Sequence, residues 1–366
     1  MQAMKIIQVV GARPNFMKVA PLHKALQNYR GIDSIVVHTG QHFDSQMSTV
    51  FFEQLALPKP DYFLGISGGS HTKMTAEIML AFEQVLEKIR PDLVCVVGDV
   101  NSTLACALTA VRLGIPVAHV EAGLRSNDLN MPEEINRILT DRLSRLLFTT
   151  ETSANQNLLL ENVAQSKIHF VGNCMIDSLV SYLPKAEAMQ IAKSYGLKNR
   201  EFAVMTMHRP SNVDEPIGLQ TMLELIQELC KRLPLVFPVH PRTRKNLERF
   251  QLWDQLNANS NLFITEPLAY LEFISLMNAC KLILTDSGGI QEESTYMQIP
   301  CLTFRNTTER PVTVEQGTNI LIDDLNVQNA LFYVDQILSG NLKKGLVPEL
   351  WDGHAAQRIA EIIVSV

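Results

Sequence analysis

The chain has 366 residues, 46% hydrophobic and 19% charged, with a formal net charge of −6. At roughly 100–200 residues per domain this suffices for two domains with full cores, and it excludes disordered, collagen-like and small disulfide-framed proteins. The mild acidity argues against a broad basic face tracking nucleic acid, but it leaves room for a cationic pocket built locally around a small anion.

In chain order, the first strand is Ile6–Val10. It runs into Gly-Ala-Arg-Pro rather than a secretory cleavage site, and no apolar stretch reaches the ~18–20 residues that span a bilayer, so the sequence reads as cytoplasmic with no membrane partner. Strand patterns follow at Ser34–His38, Leu93–Val97, Val117–Val120 and Leu146–Thr149. Between them Met74, Ile78, Phe82, Val85, Leu86 and Ile89 keep the spacing of an amphipathic helix that Pro91 ends. After a polar-rich stretch near Leu183–Arg200 the rhythm restarts, with strands at Phe202–Met207, Leu235–Val239, Leu262–Thr265, Leu282–Thr285 and Pro300–Phe304. This alternation predicts an α/β protein of two doubly wound units, each a parallel sheet with helices on both faces, with a boundary in the 175–200 region; we divide the chain as residues 1–180 and 181–350, followed by 351–366. The six cysteines show no Cys-x-x-Cys spacing and have mostly apolar neighbours, a pattern of reduced core residues rather than a metal or disulfide framework.

Doubly wound sheets bind ligands beyond the carboxyl ends of their strands, so polar residues just after each strand form the candidate set. After strand one, Arg13 and Lys18 sit at a helix start, where backbone N–H groups favour an anion; spacing alone weighs this equally against two solvated cations. Asp99, after Leu93–Val97, and Glu121, after Val117–Val120, are carboxylates at neighbouring strand ends suited to acid–base work. Their structural alternatives are a helix cap for Asp99 and an ion pair with Arg125 for Glu121. Glu133 lies in a Pro-started first helical turn, where an i,i+4 pair with Arg137 is sufficient explanation by itself. In the second unit His208 follows a strand, and Ser287-Gly288-Gly289 opens a helix with N–H groups suited to a diphosphate. Glu293, one turn further on, is placed for a ribose hydroxyl, and Arg310 for neutralising phosphate.

Together these segments resemble the non-hydrolysing UDP-N-acetylglucosamine 2-epimerases across nearly the whole chain. The resemblance rests on Gly-Ala-Arg-Pro-Asn-Phe-Met-Lys (11–18), Gly-Asp (98–99), His-Val-Glu-Ala-Gly-Leu-Arg (119–125), Pro-Glu-Glu-Ile-Asn-Arg (132–137), His-Arg (208–209), Thr-Asp-Ser-Gly-Gly-Ile-Gln-Glu-Glu (285–293) and Thr-Glu-Arg-Pro (308–311). It implies two Rossmann-like domains of the GT-B type with an interdomain cleft, and a last helix, around Ala355–Val364, returning to the first domain. It also implies reversible conversion of UDP-GlcNAc to UDP-ManNAc for surface polysaccharide precursors, by anti elimination of UDP to 2-acetamidoglucal and re-addition. By motif, Asp99, Glu121 and Glu133 match the family's acid/base carboxylates and His208 stands with the catalytic residues. Arg13, Lys18, His208, Ser287, Gly288, Gly289 and Arg310 match groups that stabilise the departing diphosphate, Glu293 the ribose carboxylate, and Phe273 a residue near the uracil. No metal or nicotinamide cofactor is implied; a UDP-sugar is the expected partner, with a homodimer as the family expectation.

The chain departs from many bacterial relatives at His208-Arg209-Pro210-Ser211-Asn212, where those read His-Arg-Arg-Glu-Asn, and around Gln41-His42; both segments border the site at which a second UDP-GlcNAc activates such enzymes. Leu268 replaces a Gln that some relatives place near the nucleotide. The competing readings are a hydrolysing epimerase that releases ManNAc and UDP, and a GT-B glycosyltransferase or silent sugar-nucleotide binder.

Overall fold

The computed structural model describes residues 3–41, 59–257, 259–342 and 344–365, the side chains of Arg13, Asn257 and Asp324 excepted. His42, one of the sequence departures, lies outside the described residues. The chain divides into two units, Met1–Ser181 with Glu349–Val366, and Tyr182–Pro348.

The first unit is built on a seven-stranded sheet ordered β3-β2-β1-β4-β5-β6-β7. Its strands are β1 Met4–Val10, β2 Ile32–His38, β3 Tyr62–Phe63, β4 Leu93–Val97, β5 Val117–Ala122, β6 Leu146–Thr149 and β7 Ile168–Phe170. All pairings are parallel. Strands of such a sheet are covered on both faces, which is why Leu93–Val97 is a continuous apolar run, buried at every position. The helix His71–Ile89 covers one face through Ile78, Phe82, Val85, Leu86 and Ile89, which join Val9, Val94 and Val96 in one core cluster. Burying Phe82 alone contributes about 1.5–3 kcal/mol. The Ser70 side chain caps that helix by accepting from the Lys73 N–H, and Arg90, left-handed at φ 50°, ends it before Pro91.

The second unit repeats the plan in six parallel strands ordered β10-β9-β8-β11-β12-β13. They are β8 Ala203–Thr206, β9 Leu235–Pro238, β10 Leu262–Thr265, β11 Leu282–Thr285, β12 Cys301–Thr303 and β13 Asn319–Leu321. Met205, Leu223, Phe237, Leu284 and Leu302 belong to its core. In both sheets the order reverses at the first strand, between β1 and β4 and between β8 and β11. Helices on either side of that point leave in opposite directions and open a crevice at the strand ends.

All six cysteines are buried with free thiols, so they pack as small apolar groups. Three short strands, β3, β7 and β13, arise where the sequence pattern gave no signal, because two or three residues cannot display a periodicity. The polar stretch near 183–200 is largely helical: Cys174–Met189 runs across the division between units, and Ile191–Ser194 follows it. In the first unit the helix Ala355–Ser365 packs against Arg13–Gln27, and the Asp177 carboxylate accepts from the N–H groups of Ala355 (3.1 Å) and Ala356 (2.7 Å).

Candidate functional site

In the first unit the candidates gather at the β1/β4 reversal. The Asn15 side chain accepts from the N–H groups of Gly11 and Ala12 (2.9 Å for the latter) and donates to the Val97 carbonyl at 3.1 Å, tying the loop after β1 to the end of β4. Lys18 is therefore carried inward from the second turn of Arg13–Gln27, and its side chain, 7% exposed, pairs through its ammonium with the Glu121 carboxylate. Spacing offered solvent for Lys18 and Arg125 for Glu121; the fold uses neither. Arg125 instead pairs with Asp141 at 2.8 Å and Glu161 at 2.7 Å. Arg13 opens its helix, with its side chain outside the described residues.

Glu121 sits in a register irregularity of β5 with φ 72°. Left-handed backbone costs a side-chain-bearing residue about 1–2 kcal/mol, and strain of this kind clusters at functional positions. Gly98 directly follows β4 with φ 67°, and a Cβ there would stand 3.8 Å from the Lys18 Nζ. The Lys18–Glu121 pair and the Gly98-Asp99 turn therefore share one corner of this unit.

Asp99 does not cap the following helix, which begins at Asn101 with no side-chain cap. Its carboxylate accepts from Arg137 at 2.6 Å, and its carbonyl from Asn136 at 2.8 Å. The i,i+4 pair expected between Glu133 and Arg137 is not what forms. Arg137 bonds Glu134 at 2.7 Å and Asp99, because the buried face of Pro132–Leu143 carries Glu134 and Arg137 and leaves Glu133 half-buried. Burial works against the charged form of Glu134, but the N–H groups of Ser126 and Asn127 and the Arg137 guanidinium outweigh it and hold its carboxyl below the ordinary value. Glu134 and Arg137 thus fix the neighbourhood of Asp99.

In the second unit His208 and Asp286 leave β8 and β11, the two strands flanking the reversal. Asp286 is fully buried; it accepts from His208 Nδ1 at 2.8 Å, the His208 N–H at 2.9 Å and the Arg209 N–H at 2.8 Å. Burial opposes its charge, yet these donors keep its carboxyl below the ordinary range. The His240 ring lies 5.3 Å from the His208 ring, and burial followed by that neighbour lowers its pKa.

Ser287 precedes the helix Gly288–Tyr296. A Cβ on Gly288 would meet a Glu309 carboxylate oxygen at 3.2 Å and the guanidinium nitrogens of Arg310 at 3.4 Å and Arg305 at 3.6 Å, so two cations and the carboxylate between them border this helix N-terminus. Arg310 forms ion pairs with Glu292 at 2.8 Å and with Glu309; Arg305 bonds Glu309 at 2.9 Å, while its buried NH1 has no hydrogen-bond partner among the described residues. Cationic groups, N–H groups and an unspent donor at one spot are what a diphosphate requires. Glu293 is buried rather than open, and Tyr270 donates to it at 3.0 Å. Burial pushes its carboxyl up to about 8; the Tyr270 bond pulls the other way, and Glu292 adds to the rise. Phe273 lies half-buried on the same helix as Tyr270, Tyr270–Ala279.

Asn15, Glu134, Asp286, Tyr270 and Arg305 escaped sequence reasoning as site residues. Asn15, Glu134 and Asp286 sat inside quoted motifs, and for the last two the position directly beside a candidate was the available signal.

A family model described as UDP-N-acetylglucosamine 2-epimerase matches residues 24–364. A UDP-N-acetylglucosamine 2-epimerase of Methanocaldococcus jannaschii is 42% identical over 98% of this chain and 99% of its own. A UDP-2,3-diacetamido-2,3-dideoxy-D-glucuronate 2-epimerase of Pseudomonas aeruginosa is 41% identical over 99% of this chain and 100% of its own. A crystal structure of the M. jannaschii UDP-GlcNAc 2-epimerase in complex with UDP-GlcNAc and UDP matches with a TM-score of 0.89 and 41% identity, covering 99% of this chain and 100% of that one.

Proposed function

The chain belongs to the UDP-N-acetylglucosamine 2-epimerase family, and from that premise we propose that it interconverts UDP-GlcNAc and UDP-ManNAc in the cytoplasm, without hydrolysis, to supply surface polysaccharide precursors. The second unit's Ser287-Gly288-Gly289 helix start, with Arg310, receives the diphosphate; Glu293 bonds the ribose and Phe273 lies by the uracil. The first unit's carboxylates Asp99, Glu121 and Glu133 do the proton work. One takes the proton from carbon 2; its electron pair forms the C1=C2 bond as the C1–O bond to UDP breaks, giving 2-acetamidoglucal and UDP. Re-addition of UDP at carbon 1 and return of a proton to the opposite face of carbon 2 complete the exchange. Carbon 2 has no adjacent carbonyl to spread charge, so Arg13, Lys18, His208 and Arg310 assist by stabilising the departing diphosphate. The observation that carries the reading is the meeting of Lys18, the strained Glu121 and the Gly98-Asp99 turn at one strand-order reversal. The active form is a homodimer.

Incubation with UDP-GlcNAc in deuterated water gives UDP-ManNAc carrying deuterium at carbon 2. Unlabelled product discards the elimination step, and accumulation of free ManNAc with UDP selects the hydrolysing reaction. Asp99→Asn, Glu121→Gln and Glu133→Gln each lower turnover by about 10²–10⁴-fold with far smaller effects on UDP affinity; normal turnover in all three discards the assignment. The P. aeruginosa relative favours a second reading, a UDP-2,3-diacetamido glucuronate as substrate. Turnover of that sugar and none of UDP-GlcNAc selects it.

A further inference from the structure

Beneath the Asp99 and Glu121 turns lies a buried charge cluster that the proposed chemistry does not use. His119, two residues before Glu121 on β5, and Asp141, on the helix Pro132–Leu143, both have fully buried side chains. His119 Nδ1 lies 2.6 Å from Asp141 Oδ1, and His119 Nε2 lies 2.8 Å from the Gly98 carbonyl oxygen. The other Asp141 oxygen accepts from the Gly123 N–H at 3.1 Å and from Arg125 at 2.8 Å. The Gly98 N–H in turn bonds the Val120 carbonyl at 3.0 Å. The same cluster therefore holds Gly98, immediately before Asp99, and Gly123, two residues after Glu121, each at a positive φ.

Both ring nitrogens of His119 face oxygen atoms, the Gly98 carbonyl on one side and on the other the Asp141 carboxylate, which also takes the Gly123 N–H and pairs with Arg125. Arg125 and Glu161, paired at 2.7 Å, balance the remaining charge. A solvated surface pair would give no such rigidity; here both partners are dry, and loss of one releases two turns together.

We propose that His119 and Asp141 form a positioning pair, an imidazole strapped between a carboxylate and the Gly98 carbonyl, that sets the separation of the Asp99 and Glu121 carboxylates. This rests on the reading of those two residues as the acid–base groups. The pair touches no reacting atom; it acts through the turns it holds.

The test measures carbon-2 exchange on UDP-GlcNAc for the wild type, Asp141→Asn, His119→Asn and the double variant. The expected result is a fall in kcat of about 10–100-fold in each single variant, as for small misplacements of reacting groups. KM stays within about threefold, and the double variant is no slower than the slower single. In parallel, a crystal structure of the UDP-bound wild type finds the His119 ring between the Asp141 carboxylate and the Gly98 carbonyl. Folded variants as fast as an active wild type overturn the proposal alone, as does a UDP-bound wild-type crystal structure in which His119 does not bridge Asp141 and the Gly98 carbonyl, which decides the matter if the variants do not fold. A wild type inert toward the sugar nucleotide overturns the parent reading and this one with it.

Discussion

Glu293 is a carboxyl kept out of water, raised from 4.5 to about 8 by burial. A group whose folded value exceeds its unfolded one binds more protons folded, so its contribution is present below about 4.5 and is lost as pH rises toward about 8. Wild-type stability measured against Glu293→Gln should therefore decline across that window and level off above it; a flat difference in chemical denaturation contradicts the shift. The Lys18–Glu121 pair poses a different question at the same scale. Both side chains are nearly inaccessible, and breaking a buried pair from one side costs about 3–5 kcal/mol because the other charge stays dry. Lys18→Met and Glu121→Gln should each destabilise by about 3 kcal/mol, while the double variant loses clearly less than the sum; strict additivity would show that the pair is not coupled.

At the scale of elements, the C-terminal helix Ala355–Ser365 depends on a side chain far back in the chain. Asp177 accepts from its first two N–H groups, and burial raises the Asp177 carboxyl although those same bonds pull it down. Asp177→Ala removes a cap worth about 1–2 kcal/mol, and amide exchange in Ala355–Ser365 should quicken while the β8–β13 sheet keeps its protection. Equal exchange in both proteins rules out the cap. Gly172 explains the tightness of the same join: at φ 90° it lies where a Cβ would strike the Leu350 carbonyl. These contacts link residues some 180 positions apart, and no local pattern announces them.

For the whole molecule, each unit bears its candidates at a strand-order reversal, and the two carry different chemistry. Carboxylates paired with cations dominate the first, and N–H groups with guanidinium groups the second. UDP alone should therefore slow amide exchange around Gly288–Tyr296, and at about 100 times its Kd should stabilise the protein by about 2.7 kcal/mol. Arg310→Ala should lose most of both effects. Retention of full stabilisation by that variant would remove Arg310 from the diphosphate site.

The amino-acid sequence by itself determined the alternation of strand and helix, the repetition of an α/β unit and the short motifs after the strands, because periodicity and residue type are local properties. It also singled out Asp99, Glu121, His208 and Arg310. Only the tertiary structure decided who meets whom: Lys18 with Glu121 rather than solvent, Arg137 with Asp99 and Glu134 rather than Glu133, His208 with Asp286. Partner choice depends on strand order and on which helix face is buried, and both follow from the cooperative burial of the two sheets rather than from any window of neighbouring residues. The pKa shifts of Glu293 and Asp286 belong to that same level, since burial and the placement of donors exist only once the chain has folded.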